Sequence, residues 1–85
     1  MPMSRFIPDS AQFRRLIQFI DGLRHTDFMI PEVPRHDLPD RDAVRRNIEW
    51  LLQEGFIRLK KDGAKHDTHI YAASETWELL VKELK

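Results

Sequence analysis

Arg41, Arg45, Arg46 and Asn47 cluster near the start of a charged stretch with helical periodicity, and Lys60, Lys61 and Lys65 gather around an Asp62-Gly63 turn signal. Arginine can fork onto the N7 and O6 acceptors of guanine, asparagine can pair with adenine, and lysine meets phosphate as a point charge. Two basic groups so placed could grip one duplex. The same residues also have ordinary uses. Asp42 with Arg46, and Arg45 with Glu49, are i, i+4 pairs that on a wet helix stabilise by about 0.2–0.5 kcal/mol each, and lysines at a hairpin end discourage edge pairing.

Charge is unevenly spread. Residues 41–66 hold seven basic and four acidic side chains, net +3, against −1 for residues 1–40 and −2 for residues 67–85. The whole chain has 14 Lys plus Arg and 14 Asp plus Glu, a formal net charge of zero. A local excess of that size is small beside the roughly six to ten phosphate contacts of strongly salt-dependent binders, so one copy is expected to hold DNA weakly and two to be needed.

Other side chains with chemical potential lack partners. His66 and His69 flank Asp67, but an i, i+3 pair on a strand points to opposite faces and no further ligand stands nearby, so no metal is expected. His25 with Asp27 and His36 with Asp37 have the composition of a base and its orienter, without a nucleophile or a glycine-rich phosphate loop. All four histidines read as solvated surface groups. No catalytic residue, cofactor or small-molecule effector is indicated, and an enzyme is not expected.

The elements that must position the basic residues follow from periodicity. Phe13, Leu16, Ile17, Ile20 and Leu23 repeat as one buried stripe and predict a helix from about Ser10 to Arg24, capped by Asp9 with Gln12 three residues on. The apolar stretch from Phe28 to Pro34 is broken by two prolines, which allows at most an edge strand and then a short helical turn starting at a proline. Asp40 caps a second long helix from Arg41 to about Glu54, stopped by Gly55. In it Val44, Ile48, Leu51 and Leu52 face inward and Asp42, Arg46, Glu49 and Gln53 outward, with Arg41 and Arg45 on one flank and Asn47 and Trp50 on the other.

Residues 56–60 alternate at period two and 68–72 form a second candidate strand, giving a hairpin. A strict two-residue turn at Asp62-Gly63 would pair Leu59 with His66, whereas a longer tip would bring Leu59 towards Ile70. Ser74 then caps a closing helix with Trp77, Leu80, Val81 and Leu84 as its stripe, Glu75 and Glu78 suiting its positive end and Lys82 and Lys85 its negative end.

The run from Leu38 to Ile57, with its valine and leucine spacing, leucine pair, Glu54-Gly55 and aliphatic first strand residue, resembles the recognition helix of winged helix-turn-helix proteins. Residues 70–80 are similar to that family's exit from the wing into its last helix, and the resemblance covers about residues 10–84. It implies an α+β fold ordered as helix 1, a short irregular helix 2, recognition helix, two-stranded wing and C-terminal helix. It implies double-stranded DNA as partner, with the recognition helix in the major groove and the wing on flanking phosphates or minor groove. Pro34-Arg35-His36-Asp37 departs from the Ala-rich second helix usual in the family.

At 85 residues the chain is expected to form one domain burying only about 60–65% of its unfolded surface, so most large apolar residues belong to packing. The exceptions weighed for an interface are Phe6 and Ile7, ahead of the first helix, and Trp50, which can pack under the hairpin or the N-terminal segment, stack on Arg46, or join a homodimer seam. Only the first five residues look loose. Cysteine is absent, excluding disulfides and cysteine-ligated zinc, and no apolar run approaches the roughly 18 residues of a membrane span. Met1 to Arg5 leads into no secretory segment, so a cytoplasmic location is expected. The alternative to DNA binding is the same fold used as a protein-interaction module, motivated by the phosphate-repelling Asp42 and Glu49 on the outward helix face.

Overall fold

The computed structural model describes residues 10–23, 26–63 and 69–84. Helix α1 (Ala11–Gly22) buries Phe13, Leu16, Ile17 and Ile20, the stripe its periodicity demands. Its N-cap is Ser10, one residue later than expected. Ser10 has extended backbone, and its hydroxyl accepts the Phe13 amide at 3.0 Å, satisfying a donor that the first helical turn leaves open.

After α1 the chain passes Phe28, which exchanges two 2.8 Å backbone hydrogen bonds with Tyr71. It then makes a single 3₁₀ turn (Ile30–Glu32) with Pro31 in its first half. The pairing of Phe28 is the short edge contact that the two prolines permit, and the turn begins at Ile30, one residue ahead of the proline expected to start it. Asp40 caps helix α2 (Arg41–Gln53), its carboxylate accepting the Ala43 amide at 3.1 Å. The helix closes on Gly55 at φ +83°, where the Gly55 amide donates to Leu52 and the Phe56 amide to Leu51. That pair of bonds is the Schellman arrangement, which uses a left-handed residue to satisfy the last carbonyls.

Strands β1 (Ile57–Lys61) and β2 (Ile70–Ala73) pair antiparallel as the only two strands among the described residues. Ile57 faces Ala73, Arg58 faces Ala72 and Leu59 faces Tyr71, and the register then shifts so that Lys61 faces Ile70. A two-residue turn pairing Leu59 with His66 is thereby overturned in favour of a longer tip. Packing selects this register, because it buries Ile57, Tyr71 and Ala73 together.

Helix α3 (Trp77–Leu84) begins three residues beyond Ser74. The Ser74 hydroxyl accepts the Thr76 amide at 3.4 Å, as a cap at the entry to the helix would, and at the same time donates to the Gly55 carbonyl, as does the hydroxyl of Thr76 at 2.8 Å. These bonds tie the end of α2 to the entry of α3. Trp77 donates its indole N–H to Asp21 at 3.1 Å, and Arg14 donates to the Leu84 carbonyl at 3.1 Å, so α3 is pinned to α1 at both ends. The described residues are therefore α+β, with three α-helices and a two-stranded sheet sharing one core that runs from Phe13 through Val33, Leu38 and Leu51 to Leu80. Among the described residues no helix is long and apolar enough to cross a membrane.

Candidate nucleic-acid interface

Helix α2 sorts its residues by burial. Val44, Ile48 and Leu51 are buried, Leu52 is half-buried against the core, and Asp42, Arg45, Arg46, Glu49 and Gln53 are exposed. Asn47 is half-buried. Among the described residues Arg46 makes no ion pair within 4.0 Å, so its guanidinium is not taken up by Asp42 one turn away.

Arg41 does something other than the surface work expected of it. Its guanidinium turns back on the protein and donates to the carbonyls of Ile30 at 2.8 Å, Val33 at 3.1 Å and Leu38 at 3.2 Å. The planar fork matches three acceptors that irregular backbone cannot satisfy by itself. Arg41 thus clamps the 3₁₀ turn and the connection after it to the start of α2, where a regular second helix would otherwise hold α2 by packing. It leaves the group of exposed cations.

Trp50 resolves as a packing residue. It is half-buried, meets the Phe13 ring edge-on with centroids 5.7 Å apart, and stacks on Phe56 at 5.8 Å. Phe6, Ile7 and Lys65 lie outside the described residues, as do His25 and His66.

The hairpin supplies the feature that alternation alone conceals. Arg58 faces Ala72, and the register shift after Leu59 places Lys61 opposite Ile70, two residues from Ala72 on the same strand. Side chains two apart on a strand share a face, so the one-residue bulge moves Lys61 to the face of Arg58. Lys60 lines the same cleft as Arg58. Arg58, Lys60 and Lys61, all exposed, therefore stand on one face of a hairpin whose outer half leaves the core, as the 43% exposure of Leu59 shows. Alternation alone sets Arg58 on the face of Lys60, a sequence signal that points to Arg58 as a further candidate; the bulge adds Lys61 to that face.

His69 is likewise more than a solvated surface group. It is half-buried beside Tyr71, its Nδ1 lies 2.9 Å from the Gly63 amide and 3.1 Å from an Asp62 carboxylate oxygen. That nitrogen can accept from Gly63 when unprotonated or donate to Asp62 when protonated, and either bond closes the base of the tip. His36 and Asp37 approach to 3.5 Å but both are exposed. Among the described residues no group of three His, Asp or Glu side chains could hold a metal ion.

Compared with known proteins, the chain gives no significant match to any family model, any curated protein or any solved structure. It offers two exposed arginines on a capped helix and three cations on one hairpin face, joined by the short Gln53 to Phe56 connection.

Proposed function

We propose that this chain is a winged helix-turn-helix DNA-binding protein that acts in the cytoplasm by occupying a site on double-stranded DNA, as a transcriptional regulator does, without chemistry of its own. The observation that carries the reading is the gathering of Arg58, Lys60 and Lys61 on one face of a projecting hairpin next to a helix that exposes Arg45 and Arg46. In this arrangement the arginines of α2 enter the major groove and the hairpin cations meet flanking phosphates. Phosphate contacts set affinity and position, while the arginines carry what sequence preference there is. With so few cations per copy, two copies on one duplex supply the affinity that one lacks.

The test is fluorescence anisotropy of a labelled mixed-sequence duplex against three proteins. These are wild type, Arg45→Ala with Arg46→Ala, and a triple alanine variant at Arg58, Lys60 and Lys61. Salt-sensitive binding by wild type that both variants weaken supports the reading; flat traces from folded wild type at about 50 mM salt overturn it.

A second reading is favoured by one observation. Asp42 and Glu49 are exposed on the same outward face of α2 as Arg46, and they repel phosphate. As a protein-interaction module the chain would use that mixed face on a partner of alternating charge. Binding to DNA that improves when Asp42 and Glu49 are neutralised, with Arg46 essential, argues for DNA; loss of a partner on the same neutralisation argues for protein.

A further inference from the structure

Arg58 and Lys60 share their surroundings with acids. They line a cleft of about 460 Å³ in which the other charged groups are Asp27, Glu75 and Glu78. All five are exposed, and among the described residues none of them is joined by an ion pair within 4.0 Å. The carboxylates therefore act on the two cations through their field. The Debye length is ~10 Å at 0.1 M salt, so charges that line one cleft are only partly screened from one another. Three acids against two bases leave the cleft negative, directly beside Lys61 on the same hairpin face. Glu78 has a structural use in the first turn of α3, where it complements the helix dipole. Asp27 has none of that kind, and it comes from a separate segment to the same place.

We propose that Asp27, Glu75 and Glu78 form a built-in competitor for phosphate, an acidic rim that holds down the affinity of the basic hairpin for DNA. The inference rests on the DNA-binding reading above and concerns the regulation of that same site. A phosphate approaching Arg58 and Lys60 meets repulsion from the rim together with attraction from the cations. Affinity is set by the difference, and removing the rim raises it.

The experiment compares the full chain with Glu75→Gln plus Glu78→Gln on a labelled duplex of about 20 base pairs, two helical turns. The control, Asp37→Asn plus Glu83→Gln, adds the same charge at exposed positions outside the cleft. The cleft variant is expected to bind about three- to tenfold more tightly than wild type and the control less than about twofold. Adding Arg58→Ala and Lys60→Ala should abolish the gain. Circular dichroism melts check folding, and Asp27→Asn, which lies in no helix, should give a gain of about twofold without touching α3. Equal gains in cleft and control variants, or none in the cleft variant, overturn the inference while leaving DNA binding intact. No binding by any folded variant overturns both.

Discussion

Arg41 carries the same charge as Arg45 and Arg46 and stands in the same helix, yet its guanidinium faces three carbonyls of its own chain. Removing a charged donor from partly buried acceptors leaves them unsatisfied, so Arg41→Ala is expected to destabilise by about 2–3 kcal/mol. For a domain of this size that is a fall of roughly 10–20 °C in Tm, read by a thermal melt. Arg41→Lys should recover little, because an ammonium cannot span three divergent acceptors. Arg46→Ala, on the exposed face, should change Tm by less than about 2 °C while weakening DNA binding. This separation of roles is invisible in the sequence, where the three arginines differ only in their distance from Asp40. What decides is the backbone of residues 30–38, which folds into irregular turns and needs a donor from outside.

At the scale of elements, the helices and the hairpin were legible, while the first N-cap and the register of the hairpin were not. The stripes of α1 and α2 and the cap at Asp40 follow from residue spacing, as does the stop at Gly55. Gly55 sits at φ +83° with nothing within 4 Å of an added Cβ, so Gly55→Ala should cost about 1–2 kcal/mol through backbone strain alone. Gly22, at the last position of α1, is equally open but has no such backbone demand. Gly22→Ala should therefore stabilise, by about 0.5–1 kcal/mol, and the opposite signs can be read from paired melts. The N-caps show the limit of local reading. Asp9 and Ser10 are both good caps, and so is Ser74, whose hydroxyl is drawn to the Gly55 carbonyl 19 residues away in sequence. The register of the hairpin is set by which side chains the core accepts, and the bulge that brings Lys61 to the face Arg58 and Lys60 already share leaves no mark in period-two alternation. Neutralising those three cations should lower the slope of binding against salt by about two to three, since each lost phosphate contact removes roughly 0.9.

For the molecule as a whole, electrical neutrality is the fact that any DNA-binding role must overcome. The chain has as many acids as bases, and its long-range field offers duplex DNA little attraction. Binding must come from local grouping, on α2 and on the hairpin, and from a second copy on the same duplex. A stoichiometric titration on a duplex of about 20 base pairs is accordingly expected to saturate at two protomers, and a duplex of about 10 base pairs to bind far more weakly. The measurement that bears most directly on DNA binding is the affinity of the wild-type chain for a mixed-sequence duplex, followed by anisotropy between about 50 and 200 mM salt. The expected result is a straight fall of log affinity with log salt, with a slope of about −3 to −5 for the exposed arginines and hairpin cations of one copy. A folded protein that shows no binding at the low-salt end, or binding indifferent to salt, would contradict it.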